Sequence, residues 1–154
     1  MTQPAPSPTP APKMLSFENV ELYYDHVYAL KGVSIEMHEG ETVALIGANG
    51  AGKSSILRAI TGLRRIKSGQ ITYMGERIDG RPAAEIVRKG IAMVPEGRRV
   101  FPLMSVKDNL LMGAFTRTDK PGIEATLENV VTRFPRLKER FHQQASTLSG
   151  GEQQ

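Results

Sequence analysis

Residues 47–54 could do the most specific chemistry in this chain, because they read GANGAGKS. This is a G-x-x-x-x-G-K-S phosphate-binding loop, in which glycines let backbone N–H groups turn toward phosphate oxygens. Lys53 is expected to reach the β- and γ-phosphates of a nucleoside triphosphate, and the Ser54 hydroxyl is expected to bind Mg²⁺. The simpler alternative is a glycine-rich turn that happens to precede a surface lysine.

The residues on both sides of the loop favour the phosphate-binding interpretation. Residues 42–46 form a short apolar run, which predicts a buried strand of a parallel sheet. After the loop, Ile56, Leu57 and Ile60 share one face of a predicted helix, and Gly62 is typical of a helix end. A phosphate-binding loop requires this order of strand, loop and helix.

The rest of the pattern divides the chain into a strand-rich first part and a helical second part. Residues 14–75 contain alternating apolar stretches, and residues 91–94 predict one more short strand. Ser105 and Asp108 resemble a capping box at the start of a helix. Apolar residues at helical spacing are then expected to face the core: Ile123, Leu127, Val130, Val131 and Phe134.

Composition excludes several classes of protein. The 154 residues suit one domain, and the absence of cysteine excludes a disulfide or thiolate–metal framework. No stretch approaches the roughly 20 apolar residues that cross a bilayer. The net charge of +4 is modest, and no helix-turn-helix pattern accompanies the basic clusters, so we expect no nucleic-acid partner. Residues 1–13, with proline at every second position, predict a disordered tail and not a secretory signal.

Three motifs in a fixed order resemble the ATP-binding subunits of ABC transporters. They are the phosphate loop, VPEGRR at residues 94–99 and LSGGEQQ at residues 148–154. The loop alone indicates only a P-loop NTPase, whereas the LSGG signature distinguishes the ABC family. The resemblance covers about residues 14–154. Similarity to the ATPases of bacterial branched-chain amino acid importers is carried by residues 45–53, 94–101 and 134–137.

The resemblance implies an α/β fold of the P-loop NTPase type found in ABC ATPases. Residues 14–154 would form a partial ATP-binding domain, with an antiparallel β subdomain and a helical subdomain at about residues 101–150. The family's strand ending in aspartate, its catalytic glutamate and its switch histidine should follow the signature, and none precedes Gln154. We therefore expect a polypeptide that stops there, before the rest of the parallel sheet, to hydrolyse ATP poorly and to aggregate.

The resemblance also assigns roles to residues outside the loop. Tyr24 lies where the family stacks an aromatic ring on adenine, with Tyr23 and Tyr28 as alternatives. Glu96 lies where most of the family has a glutamine that contacts Mg²⁺ and the attacking water. A carboxylate can accept from water or bind Mg²⁺, but it cannot donate as an amide does. The expected ATP contacts are Tyr24, Gly47, Ala48, Asn49, Gly50, Ala51, Gly52, Lys53, Ser54 and Ser55, with Ser149, Gly150 and Gly151 from the opposite subunit.

The function implied is an ATP-binding subunit that couples ATP binding and hydrolysis, with Mg²⁺, to import of branched-chain amino acids. Its partners would be a second ATP-binding subunit, identical or different, and transmembrane permease subunits. These would hold it on the cytoplasmic side of the inner membrane without direct insertion. Two alternatives remain: a soluble ABC protein outside any transporter, and a nucleotide-binding fragment that does not hydrolyse ATP. No second phosphate loop or coiled coil favours the former.

Overall fold

The computed structural model describes residues 12–154, so residues 1–11 of the predicted tail lie outside the described residues. The chain divides into two compact units. We call the described residues up to Met93 the sheet unit and Val94–Gln154 the helical unit. The first strand begins at Lys13, which is therefore part of the sheet and not of the tail.

The sheet unit contains four strands in the spatial order β2-β1-β3-β4. The strands are β1 (Lys13–Tyr24), β2 (Val27–His38), β3 (Ser68–Tyr73) and β4 (Glu76–Arg77). Every pairing is antiparallel, which confirms the predicted antiparallel β subdomain. Short turns can join β1 to β2 and β3 to β4, because antiparallel neighbours need no crossover connection.

Two helices complete the sheet unit, α1 (Lys53–Ile60) and α2 (Ala83–Arg88). The core is built from alternate side chains of the strands and from one face of α1, to which Ile56 and Ala59 contribute. Leu57, which was predicted to share a face with Ile56 and Ile60, is 46% exposed and lies outside the buried face of α1. Packing of α1 on the sheet fixes the start of this helix, where the phosphate loop ends.

A β-bulge adjusts β1 to the core. Phe17, Val20 and Leu22 are all fully buried, although strict alternation would place Phe17 and Val20 on opposite faces. The register with β2 shifts between Phe17 and Val20, and Asn19 between them has a φ of 47°. The extra residue returns the following side chains to the core face.

Two predicted strands are not formed. Residues 42–46 and 91–94 have no regular secondary structure, and Ile46 and Val94 are 95% and 75% exposed. An apolar run favours the extended conformation, but a strand also needs neighbours that satisfy its N–H and C=O groups. Within residues 12–154 no strand pairs with either segment.

The helical unit consists of short helices. They are α3 (Val106–Met112), α4 (Lys120–Arg133), α5 (Pro135–Glu139) and α6 (Gly150–Gln153), with a 3-10 turn at Ala145–Thr147. Buried apolar side chains are Val106, Val131, Ala145 and Leu148. Across residues 12–154, no helix combines the length and the apolar character needed to cross a membrane.

Local sequence signals set the ends of two of these helices. Ser105 caps α3 by accepting a hydrogen bond from the Asp108 N–H at 3.0 Å, which confirms the predicted cap. Pro135 starts α5 directly after α4 ends. Phe134 lies between these helices and is 59% exposed, so the prediction that it faces the core was wrong.

Candidate nucleotide-binding site

The phosphate loop is held against β2 by a glycine. Gly52 has a φ of 96°, in the left-handed region that glycine tolerates best. A Cβ atom there would lie 2.8 Å from Leu30 Cδ2 and 2.9 Å from the Ala29 carbonyl oxygen. Gly50 also has a positive φ, of 84°, but a Cβ atom there would meet nothing within 4 Å. Gly52 therefore allows the close approach, and Gly50 serves only the turn.

The first turn of α1 presents backbone N–H groups that have no protein partner. The helix begins with a hydrogen bond from Ile56 N to Gly52 O at 3.0 Å. In the described part of the chain, no group accepts from the N–H groups of Lys53, Ser54 or Ser55. Unpaired N–H groups at a helix N-terminus, together with the helix dipole, suit an anion such as a phosphate.

The Lys53 side chain folds back over the loop. Its Nζ atom donates to the carbonyl oxygens of Gly47 at 2.7 Å and Ala48 at 2.8 Å. The Ala51 N–H donates to the Ala48 oxygen and closes a turn within the loop. Ser54, the residue after Lys53, is exposed, so its hydroxyl is open to solvent. The loop thus combines a cation, a hydroxyl and free N–H donors.

Tyr24 lies at the end of β1 and adjoins this loop. Ser55 Oγ donates to the Tyr24 hydroxyl oxygen at 3.4 Å, and the ring packs against the sheet core. The Arg64 guanidinium lies over the ring, with Cζ 4.8 Å from the centroid. Burial of the hydroxyl raises the pKa of Tyr24. Hydrogen bonds from Ser55 and Arg58 lower this pKa, as do the positive charges of Arg58 and Arg64, and together they outweigh the effect of burial. The pKa of Tyr24 is therefore lower than usual.

The two alternative tyrosines form a separate pair. The rings of Tyr23 and Tyr28 stack with centroids 4.3 Å apart and an angle of 6° between their planes. The Tyr28 hydroxyl donates to Glu21 at 2.6 Å. This hydrogen bond, with burial and the carboxylate charge, raises the pKa of Tyr28 above its usual range. Lys31 Nζ also lies over the Tyr28 ring, 5.6 Å from its centroid. Tyr24, by contrast, is hydrogen-bonded to Ser55 in the first turn of α1.

Glu96 belongs to the helical unit, in a segment with unusual backbone geometry. Its side chain is exposed, and its carbonyl oxygen accepts from Arg99 Nε at 3.4 Å. Arg98 and Arg99 both have positive φ values, of 66° and 48°. The guanidinium of Arg98 packs on Gly150, where a Cβ atom would lie 2.9 Å from Arg98 Cζ. A side chain at position 150 would therefore require the Arg98 guanidinium to shift.

The signature turn is fixed by a capping box. The Ser149 N–H donates to Glu152 Oε2 at 2.8 Å, and the Ser149 side chain accepts from the Glu152 N–H. Arg140 Nε lies 3.3 Å from Glu152 Oε1. The hydrogen bonds with Ser149, and to a smaller extent the charges of Arg140 and Arg136, lower the pKa of Glu152. The carboxylate thus remains ionised at neutral pH and holds the turn.

The residues expected to contact ATP are divided between the two units. Tyr24 and residues 47–55 lie in the sheet unit, where the bond between Ser55 and Tyr24 joins them. Glu96 and residues 149–151 lie in the helical unit.

Sequence reasoning missed one residue beside the signature turn, Glu152, and one beside Tyr24, Arg64. The S-x-x-E spacing could have identified Glu152, because it is the pattern of a capping box. Arg64 had no such signal, because its contact joins residues far apart in the chain.

Comparisons with known proteins agree on one family. The sequence model of the ABC transporter family matches residues 30–154. The high-affinity branched-chain amino acid transport ATP-binding protein BraG of Pseudomonas aeruginosa is 52% identical over 141 residues. A solved ABC transporter cassette in its ADP conformation matches with a TM-score of 0.73 and 26% identity. A dimeric bacterial ABC transporter cassette matches with a TM-score of 0.75 and 25% identity.

These matches cover most of this chain but only part of each relative. The alignment covers 92% of this chain and 60% of BraG. The match to the cassette in the ADP conformation covers 93% of this chain and 61% of that cassette. The match to the dimeric cassette covers 91% of this chain and 65% of that cassette. Because the family model and the identity to BraG extend over most of the sequence, the chain belongs to the ABC transporter family.

Proposed function

We propose that this chain is part of an ATP-binding subunit that couples ATP binding and hydrolysis to import of branched-chain amino acids. The observation that carries the nucleotide part is the loop, where three unpaired N–H groups and the Lys53 ammonium surround one exposed turn. The transport part is supported by the identity to BraG, whose name describes branched-chain amino acid transport.

The loop residues fit a triphosphate. The N–H groups of residues 53–55 would donate to phosphate oxygens, and Lys53 would exchange its carbonyl acceptors for the β- and γ-phosphates. Ser54 would give Mg²⁺ one ligand. Within residues 12–154 no cluster of three acidic or histidine side chains could hold a metal. Phosphate oxygens and water would be further magnesium ligands.

The other predicted residues would act around this centre. Tyr24 would stack on the base, and Glu96 would accept a hydrogen bond from the attacking water or contact Mg²⁺. Ser149, Gly150 and Gly151 would bind the γ-phosphate of ATP held by the opposite subunit. Bound ATP supplies the phosphoryl group whose transfer to water drives transport, and the protein groups bind and orient it.

The proposed partners follow from this assignment. A second ATP-binding subunit completes each site, an idea supported by the solved dimeric cassette. Permease subunits would hold the protein at the cytoplasmic face of the inner membrane. Magnesium and ATP are the proposed cofactors.

Binding of a fluorescent ATP analogue with Mg²⁺ tests the nucleotide part. Lys53→Ala should weaken binding roughly 10- to 100-fold, because it removes charge-assisted hydrogen bonds to phosphate. Lys13→Ala is the matched control, since this exposed lysine of the same unit pairs with Glu36. Equal affinity of Lys53→Ala and the unchanged protein would refute the proposed site, as would an equal loss in Lys13→Ala.

Uptake of labelled leucine by cells tests the transport part separately. A chromosomal Lys53→Ala substitution should reduce leucine uptake and leave uptake of an unrelated amino acid unchanged. Co-purification of the protein with a membrane permease should accompany this result. Normal leucine uptake with lost nucleotide binding would contradict the transport role and favour an ABC protein outside any importer.

A further inference from the structure

The ring that is expected to receive the nucleotide base is already covered by a cation. Arg64 Cζ lies 4.8 Å from the centroid of Tyr24, within the range of a cation–π interaction. The ring also packs against the sheet core and is only partly exposed. A base that stacks on Tyr24 and the guanidinium that lies there now would therefore compete for the same aromatic surface.

The backbone directs Arg64 to this place. Its N–H donates to the carbonyl oxygen of Arg58 at 3.0 Å, directly after the end of α1. Gly62, with a φ of 70°, turns the chain between these residues. In the described part of the chain no carboxylate pairs with Arg64, so the guanidinium is not held by a salt bridge. The guanidinium instead lies over the ring of Tyr24.

Tyr24 is anchored independently of Arg64. Its hydroxyl accepts from Ser55 Oγ in the first turn of α1, and its ring packs on the core. The ring therefore stays beside the loop when the exposed arginine leaves. The guanidinium is the movable partner and the ring is the fixed one.

We propose that Arg64 occupies the base-stacking surface of Tyr24 and must be displaced when the nucleotide base binds. This inference rests on the proposed nucleotide site. By competing with the base for the Tyr24 ring, Arg64 would set how much the base adds to the affinity for the nucleotide. A cation–π contact at an exposed site corresponds to a roughly two- to fivefold effect on binding. Arg64 thus weakens the contribution of the base while the triphosphate remains the main anchor.

The test compares ATP with inorganic tripolyphosphate, which lacks the base and ribose. Calorimetry with Mg²⁺ gives the Kd of each ligand, and the ratio of tripolyphosphate Kd to ATP Kd measures the base-dependent part. Arg64→Ala should raise this ratio roughly two- to fivefold. The loss of a positive charge also weakens binding of both anions, and a neighbouring arginine variant measures how far that charge effect alone changes the ratio.

Two variants serve as controls. Arg65→Ala removes a neighbouring exposed charge that does not lie over Tyr24, so it should leave the ratio unchanged. In a Tyr24→Leu background, Arg64→Ala should also leave the ratio unchanged, because the ring for which the base and the guanidinium compete is absent. The proposal is overturned if Arg64→Ala leaves the ratio unchanged or lowers it, or if either control shows the same rise.

A titration without nucleotide checks the contact itself. Absorbance of the phenolate, taken as the difference from a matching Tyr24→Phe protein, reports the pKa of Tyr24. Arg64→Ala should raise this pKa, because a nearby positive charge is removed. An unchanged pKa would show that the guanidinium does not lie over the ring in solution and would overturn the inference. If Lys53→Ala weakens the binding of neither ATP nor tripolyphosphate, the proposed function fails as well.

Discussion

The sheet unit and the helical unit hold their candidate site residues in different ways. In the sheet unit, the side chains of Phe17, Val20, Leu22, Ile71 and Ile78 are fully buried. The helical unit buries fewer large side chains and leaves Leu103 and Phe115 80% exposed. Burial of apolar surface therefore stabilises the sheet unit, whereas helix caps, turns and surface charges contribute a larger share of the stability of the helical unit.

This difference extends to the two motifs. The phosphate loop is positioned by α1 packing on the core and by the close approach of Gly52 to β2. The signature turn at Ser149 is held by a capping box and by Arg140, both at the surface. Polar contacts at the surface, such as those of the signature turn, are individually weak, because water screens them. We expect substitutions in the sheet unit to have the larger effects.

Truncation of a core side chain should give the largest effect. Phe17→Ala removes a fully buried ring, and we expect it to lower the free energy of unfolding by about 3–5 kcal/mol. Phe115→Ala, in the helical unit, removes a ring that is 80% exposed and should change it by less than about 0.5 kcal/mol. Urea unfolding followed by circular dichroism measures both. Similar losses in the two variants would show that Phe115 is buried in solution, and the comparison would fail.

Two glycines of one loop should separate close packing from backbone strain. Gly52→Ala combines a positive φ with a Cβ that collides with Leu30 and Ala29, so it should cost about 2–4 kcal/mol of unfolding free energy. Gly50→Ala has open space and should cost about 1–2 kcal/mol. Thermal unfolding ranks the two variants. Equal costs would mean that the contact between the loop and β2 does not position the loop.

Local patterns explain why much of the fold was predictable. The spacing of the phosphate loop, the alternating apolar stretches within residues 14–75 and the Ser105 cap are each contained in a few neighbouring residues. The segments at 42–46 and 91–94 were predicted wrongly, since a strand depends on neighbours that a local pattern does not contain. Apolar type alone likewise could not show which side of a helix stays exposed.

The candidate site was predictable to a similar degree. Residue type and spacing predicted Lys53 and Ser54 as candidate site residues, because their chemistry is tied to one short motif. The contact between Arg64 and Tyr24 could not be predicted, since it depends on how the end of α1 meets the end of β1. Long-range side-chain contacts of this kind arise only from the tertiary fold.

Two aspartates that pair with arginine, Asp79 in the sheet unit and Asp119 in the helical unit, differ in burial. Asp79 is 11% exposed and accepts from Arg77 Nε and the Ile71 N–H, each at 2.9 Å. Burial raises its pKa, but these hydrogen bonds outweigh burial, so the pKa is lower than usual. The stability contributed by Asp79 is therefore present above the unfolded pKa of about 4 and is lost as pH falls through the lower folded pKa.

Asp79→Asn should lower the free energy of unfolding at pH 7 by about 1–2 kcal/mol and flatten its decline below about pH 4. The control in the helical unit is Asp119→Asn, since Asp119 pairs with Arg117 but is 57% exposed. That substitution should cause no measurable change at pH 7, because solvent screens the pair. Urea unfolding across the pH range measures both. A steeper acid decline in Asp79→Asn would reverse the sign argued here.

The smallest effect should come from a helix cap, and it tests whether the helical unit depends on such contacts. Ser105→Ala removes the acceptor for the Asp108 N–H and should cost about 1 kcal/mol, whereas Ser105→Thr retains a capping hydroxyl. Hydrogen exchange of the α3 amides measures the loss as a roughly fivefold drop in protection. Unchanged protection in Ser105→Ala would mean that burial of Val106 already fixes this helix, and the contrast between the units would lose its basis.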